Sequence, residues 1–495
     1  MDKLVFALLA ALLLAPLAVI HAADLPKPAG RPNILLILSD DMGYGDIGAH
    51  NCKDIPTPNI DRIAAHGVRF TDSYANGSFC TPTRAALMSG RYQQRHGNED
   101  LDGVTGPLSL AVKTLPERLR AAGYTTGMVG KWHLGSRQGF TPMDRGFDEF
   151  FGFLGGGHHY LPPHPINGKG EYNAPIFRNR QRTVDNRYLT DAFGEEAAAF
   201  IERQRNATRP FFLYLAFNAV HTPLQATPKY LKRFEDVKDN RRQTYAAMLS
   251  AMDDNIGLVL GKLEQTGKID NTLVIFHNDN GGAVNNGSRN TPLRGFKIDT
   301  WEGGIRVPLA MQWPGVIQPG AVYHQPVITM DLTATALALA AADAAGVEGV
   351  DLLPFVQGKQ TGAPHDRLYW RCRTKTAGDS PCYAVRQGDW MLVHTYRYNE
   401  DGTGRATGTP TDRLFNLATD IGEKRDLAVA EPVKLAELKK LYEAWSAEVD
   451  AECREIKSKA KRLTKLRGAN AAIEDEVIDR DDRDETEGTR IPERG

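Results

Sequence analysis

The run Asn33-Ile34-Leu35-Leu36-Ile37-Leu38-Ser39 is apolar throughout its interior, which predicts a central parallel strand buried on both faces. Apolar positions then recur at helical spacing in Pro58 to His66, Leu115 to Ala122, Asp191 to Gln204 and the long Tyr245 to Gln265, closed by Gly267. Strand-like runs lie between them at Thr125 to Val129, Phe211 to Phe217 and Thr272 to Phe276, with another at Pro308 to Gln312. This alternation predicts an α/β domain over 31–357, with a mainly parallel mixed sheet flanked by helices. After about Gly358 the pattern changes to short runs, Leu368 to Cys372, Tyr383 to Arg386 and Trp390 to Thr395, joined by turn-rich segments. With a helix from Pro432 to Val449, they predict a smaller antiparallel sheet packed with a helix over 358–453. Past Glu455 the chain turns basic, then strongly acidic from Glu474 to Glu487, so 454–495 is expected to be a solvated, poorly ordered tail.

Composition changes this picture little. The 495 residues, 41% hydrophobic and 24% charged, describe an ordinary globular chain. That length exceeds the ~250–300 residues at which single cores stop growing, which accords with two units. The net charge of −1 gives no support to nucleic-acid binding or to a polybasic membrane contact. The N-terminus is different in kind. Asp2-Lys3, an apolar stretch from Leu4 to Ile20 and the small residues Ala22-Ala23 read as a signal peptide over 1–23, hence export to a periplasmic or extracellular space. A retained anchor is the competing reading; Pro16 and the paired alanines favour cleavage and no stable membrane insertion. Five cysteines in an exported chain leave at least one outside any disulfide. Cys372 and Cys382 are close enough in sequence to close a small ring, and Cys52 and Cys453 are left to pair or stay free. Sequons at Asn76, Asn206 and Asn286 matter only in a glycosylating pathway.

The most informative stretch is Cys80-Thr81-Pro82-Thr83-Arg84, continuing Ala85-Ala86-Leu87-Met88-Ser89-Gly90-Arg91. Read plainly, it is a buried cysteine before a helix, with Thr81 and Thr83 as caps and Ala85 to Met88 as helix formers. Cysteine, proline, arginine and Gly-Arg at these offsets also resemble the signature of the type I sulfatases, in the alkaline phosphatase superfamily. Thr83 departs from it, serine being more usual there. The resemblance implies that Cys80 is converted to formylglycine by a formylglycine-generating or sulfatase-maturing enzyme. It also implies that the aldehyde hydrate attacks sulfur, making the protein a sulfuric ester hydrolase of the arylsulfatase type.

Other motifs accompany it in the family's order. The first strand runs into Asp40-Asp41, and Thr272 to Phe276 runs into His277-Asn278-Asp279-Asn280-Gly281-Gly282. Carboxylates and an amide carbonyl are hard oxygen ligands, suited to Ca²⁺ or Mg²⁺ rather than zinc. Taken singly, each is an ordinary turn or cap. The resemblance assigns Asp40, Asp41, Asp279 and Asn280 as metal ligands, with modified Cys80 completing the sphere around Ca²⁺, Mg²⁺ being the alternative. Lys131 and His133 lie in Gly130-Lys131-Trp132-His133-Leu134-Gly135, His221 follows a buried strand, and Lys297 precedes Glu302-Gly303-Gly304. All four match family positions. The resemblance gives Lys131 and Lys297 a sulfate clamp, Arg84 the orientation of the hydrate, and His221 and His133 the proton transfers.

The implied substrate is a sulfated small molecule or glycan, more plausibly a sugar for an exported enzyme, with aryl sulfates as test substrates. The alternatives are a phosphodiester or phosphonate monoester hydrolase of the same architecture, or a non-catalytic binder of sulfated glycans. A binder has no need for both histidines and the cysteine. Asn98-Glu99-Asp100, Gly155 to Tyr160 and Asn285 to Arg289 are equally candidates for substrate-reading loops and for ordinary surface turns.

Overall fold

Every residue of strand β1 (Asn33–Ser39) is buried, and its side chains alternate between two cores. Leu35 and Ile37 pack into one, Ile34, Leu36 and Leu38 into the other, so a single strand serves both faces of a sandwiched sheet. The computed structural model describes residues 30–99, 106–373, 381–397 and 407–468. In chain order the next strands are β2 (Val68–Phe70), β3 (Ser73–Tyr74), β4 (Thr125–Lys131), β5 (Glu149–Phe153), β6 (Ile176–Arg178), β7 (Gln181–Thr183) and β8 (Phe211–Ala216). They are followed by β9 (Thr272–Asn278), β10 (Leu309–Gln312), β11 (Ala321–Tyr323) and β12 (Val327–Ile328).

Ten of these form one sheet in the order β11-β2-β10-β9-β1-β8-β4-β5-β6-β7. The five central strands, β9 to β5 in that order, are parallel to one another; β10, β6 and β7 run antiparallel to their neighbours. Mainly parallel with antiparallel margins is the expected fold class. Helices Leu189–Arg203 and Asn240–Gln265 cover one face, while Leu115–Ala121 and Met330–Ala340 cover the other. Their starts are specified locally. Thr114 and Glu117 form a reciprocal capping box, and the Asp239 carboxylate accepts from the N–H groups of Arg241 and Arg242.

Register places the functional segments. Ser39 lies opposite Asn278, and Ala216 is flanked by Leu38 and Gly130. The carboxyl ends of β1, β9, β8 and β4 therefore coincide, which sets Asp40-Asp41, Asp279-Asn280, the segment after Ala216 and Lys131 along one edge of the sheet.

Beyond 358 lie β13 (Arg367–Cys372), β14 (Cys382–Gln387), β15 (Trp390–Arg397) and β16 (Thr407–Asn416), an antiparallel sheet in sequence order. The helix Pro432–Gly468 covers it, with Tyr442 stacked on Tyr383 at 3.6 Å between ring centroids and Trp445 on Tyr369 at 5.0 Å. Tyr74, Trp301 and Ile305 of the large unit share this core.

Several expectations need correction. The last helix continues to Gly468, across the boundary drawn at 454, because basic residues keep a helix going as readily as they solvate a tail; 469–495, like 1–23, lies outside the described residues. Thr81 and Thr83 do not cap the helix Cys80–Ser89; Phe79 occupies that position without a side-chain bond. None of the five cysteines forms a disulfide, although Cys372 and Cys382 sit directly opposite in the β13–β14 register. Asn98 and Glu99 are not surface turn residues: both are buried, and Glu99 holds Arg371 of the smaller sheet through two bonds of 2.7 and 3.0 Å, while Asp100 lies outside the described residues. Asn76 and Asn286 are fully buried, which leaves Asn206 as the exposed sequon. No helix among the described residues is long and apolar enough to cross a membrane.

Candidate active site

The ten residues singled out from sequence converge on the carboxyl edge of the central strands. Cys80 opens the helix Cys80–Ser89, whose other end is closed by Gly90 at φ 69°. Before it, Thr83 bonds Gly77 through both the N–H and the carbonyl, each at 3.0 Å, and locks the approach to the cysteine. The Cys80 thiol donates to Asp40 Oδ1 at 3.4 Å and accepts from Lys297 Nζ at 3.5 Å. Lys297 also donates to Asp41 Oδ2 at 2.8 Å, and Lys131 to Asp40 Oδ2 at 2.6 Å.

Arg84 is fully buried and uses every edge of its guanidinium. Nε and Nη2 donate to Asp279 Oδ2 at 3.1 and 2.8 Å, while Nη1 donates to the Lys131 carbonyl at 3.0 Å. Three carboxylates thus face three permanent cations, a balance without which so many buried charges could not persist. Burial alone would raise Asp40, but Lys131, His221, Arg84 and Lys297 outweigh it and hold its carboxyl far below the usual range. Burial and the Asp40 charge instead push Asp279 up. Burial also works against the charge on Lys131 and Lys297, yet Asp40 and Asp41 prevail and both amines stay above the ordinary lysine range. The Cys80 thiol is pushed well up, first by burial and then by Asp40, so an unmodified residue 80 is a protonated thiol and a poor nucleophile.

The two histidines stand at the open side. His221 places Nδ1 2.6 Å from the Thr222 carbonyl, which can only accept, so Nδ1 carries the proton and Nε2 faces Asp41 Oδ2 at 3.6 Å. His133 lies 3.2 Å from the Thr81 hydroxyl. Burial, then Lys297 for His221 and Lys131 for His133, lower both imidazoles.

A divalent cation has a place here. One atom each from Asp40, Asp41, Cys80 and His221 lie within 4.8 Å of one another. Asn280 gives its amide NH₂ to Asp41 Oδ1 at 2.7 Å, which leaves its Oδ1 buried and without a donor. A leftover buried acceptor beside three carboxylates fits a hard cation. The likeness to a soft-metal site ends at one thiol and one imidazole, and the oxygen donors dominate.

Sequence reasoning missed the supporting shell. The Tyr214 hydroxyl lies 3.5 Å from Arg84 Nη1, and Ser39 donates to Asn278 at 2.8 Å. Asn286 donates to the carbonyls of Asp41 and Val220 at 2.9 and 3.2 Å, fixing the turn that aims Asp41. Asn286 sat in a candidate substrate loop, and only its burial shows the inward role.

Comparisons with known proteins say what the chain is similar to. The family model described as Sulfatase matches residues 32–342, and that described as N-sulphoglucosamine sulphohydrolase, C-terminal, matches 297–404. The chain is 37% identical over 465 residues to the N-acetylgalactosamine-6-sulfatase of Canis lupus familiaris, covering 85% of each chain. It is 36% identical over 456 residues to the enzyme of the same name from Homo sapiens, covering 83% of each. A solved structure described as Ps i-CgsB in complex with k-i-k-neocarrahexaose is 35% identical with a TM-score of 0.77, over 84% of this chain and 93% of that one.

Proposed function

This chain belongs to the sulfatase family, and on that premise we propose that it removes sulfate from sulfated carbohydrates, with a formylglycine at position 80 and a hard divalent cation. The observation that carries the reading is the convergence of Lys131, Lys297, Arg84, His133 and His221 on Cys80 beside Asp40, Asp41, Asp279 and Asn280. Relatives named N-acetylgalactosamine-6-sulfatase and a structural neighbour with a bound hexaose support a sulfated sugar as substrate. The maturing enzyme that would oxidise Cys80 and export to a periplasmic or extracellular space belong to the same proposal.

A sulfate ester repels an incoming nucleophile and loads charge onto its leaving oxygen, so the site needs cations, a poised nucleophile and a proton donor. The cation, held by Asp40, Asp41, Asp279 and Asn280, would polarise a sulfate oxygen, and the aldehyde hydrate would supply the attacking hydroxyl. Lys297 and Lys131 neutralise the remaining sulfate oxygens from positions already fixed by Asp41 and Asp40. Arg84 keeps Asp279 aimed at residue 80, where that carboxylate can accept a proton. His221, with Nδ1–H fixed on the Thr222 carbonyl, presents Nε2 to the departing oxygen and protonates it when charged as the imidazolium, Lys297 assisting. His133, beside Thr81, would take the proton of the hydrate's second hydroxyl as the carbon–oxygen bond to sulfate breaks, so that sulfate leaves and the aldehyde returns.

The test is direct. Cys80→Ala should lose sulfate release by orders of magnitude while melting as the parent does. In active protein, the peptide holding residue 80 should be lighter than its cysteine form by about 18 Da, sulfur being replaced by oxygen with loss of two hydrogens. Normal turnover in Cys80→Ala, or active protein bearing only the unmodified thiol, would overturn the proposal.

A further inference from the structure

The mouth of the site carries a short turn that the catalytic groups do not use. Glu171 and Tyr172 lie on the single turn Glu171–Asn173, tied back by a 2.9 Å bond from the His159 N–H to the Tyr172 carbonyl. Tyr172 is half-buried, its ring centroid 6.0 Å from that of His159. Two glycines permit the close approach. A methyl group at Gly156 would lie 2.7 Å from His133 Nε2 and 3.0 Å from Glu171 Oε1; at Gly157 it would lie 2.6 Å from Tyr172 Cε1. His133 and Glu171 therefore face one another across little more than the space of one methyl group. Glu171 is exposed, and among the described residues no cation is paired with it.

A bare carboxylate beside an anion-binding pocket is useless for sulfate. It suits a neutral hydroxyl, which donates to it, and it repels any second anion placed there. The separation is shorter than the Debye length of about 8 Å at physiological ionic strength, so the repulsion survives in solution. An aromatic ring beside it offers a flat apolar surface for the C–H face of a pyranose.

Resting on the sulfatase reading, we infer that Glu171 and Tyr172 select the ring bearing the scissile ester. Tyr172 takes the C–H face, and Glu171 accepts the hydroxyl next to the ester. The substrate is thus a singly sulfated neutral sugar, disfavoured when a second sulfate or a carboxylate occupies the neighbouring carbon.

Sulfate release is measured for the parent, Glu171→Gln and Tyr172→Ala on an N-acetylhexosamine monosulfate, its vicinal disulfate and an aryl sulfate. The parent should favour the monosulfate over the disulfate, and Glu171→Gln should shrink that ratio of kcat/KM by about tenfold to a hundredfold, the worth of a hydrogen bond to a charged group. Tyr172→Ala should weaken both sugars relative to the aryl ester. Aryl sulfate turnover by the parent tests the sulfatase reading by itself. A mono-to-disulfate ratio that Glu171→Gln leaves unchanged would overturn this inference and leave that reading standing.

Discussion

Arg84 grips a single oxygen of Asp279, Oδ2, with two nitrogens while its third reaches the Lys131 carbonyl. One side chain thereby ties the helix that Cys80 opens to the ends of β9 and β4. A lysine has no planar fork and can meet one of these partners at a time. Arg84→Lys should lower kcat by about a hundredfold or more through misalignment of residue 80, with KM less affected. Arg84→Ala leaves buried carboxylates without their counter-charge and should cost about 3–5 kcal/mol of stability, read from urea denaturation. Parent-like kcat in Arg84→Lys would show that the fork is dispensable.

Cation removal should be visible without any turnover. Asp40, Asp41 and Asp279 are packed together beneath the surface, and Asn280 Oδ1 has no donor. A cation present at a hundred times its dissociation constant adds about 2.7 kcal/mol to the folded state. Dialysis against a chelator should therefore lower Tm by a few degrees, and Ca²⁺ should restore it. In Asn280→Ala the Ca²⁺ concentration needed for half-recovery should rise. An identical Tm with and without Ca²⁺ would remove the cation from the account.

Much of this site was legible because parallel strands ending together leave their next residues together. Asn33 to Ser39 and Thr272 to Phe276 could be read as strands from apolar runs, and the register then brings Asp40 and Asp279 to one edge. What sequence could not give was anything fixed by long-range packing. Glu149–Phe153 was missed as a strand because Gly152 interrupts its apolar pattern; its φ of 153° and tight approach to the Gly130 carbonyl are visible only in three dimensions. The helix Met330–Ala340 is apolar nearly all round, so it lacks the amphipathic period that signals a helix. Glu99 looked like a surface turn residue because nothing local reveals Arg371, some 270 positions away.

That last pair makes its own prediction. Arg371 is almost wholly buried and is held by Glu99 on one side and by Asp450 of the final helix at 2.7 Å on the other. Glu99→Gln removes one of two counter-charges and should destabilise by about 2 kcal/mol. The loss should appear first as protease cleavage within the smaller unit, where Arg371 anchors the sheet to the helix. Equal cleavage of parent and variant would reduce Glu99 to a bystander.

Acid should weaken the fold in a window set by buried histidines. His277 is fully buried between the Pro308 carbonyl and the Thr329 hydroxyl, and burial pushes it down to about 4; His96 is pushed down to about 4 for the same reason. Their unfolded value is near 6.5. Between the two values the unfolded chain binds protons that the native one refuses, so stability rises with pH there. The contribution is fully present above about 6.5, is lost progressively as pH falls, and levels off near 4, the folded value. Each histidine accounts for at most about 3 kcal/mol across the window. Urea midpoints measured from pH 7 to pH 4.5 should fall steadily. His277→Gln, less stable at neutral pH, should show a shallower slope, because its side chain has no proton to gain. A slope as steep in that variant as in the parent would place the acid sensitivity elsewhere.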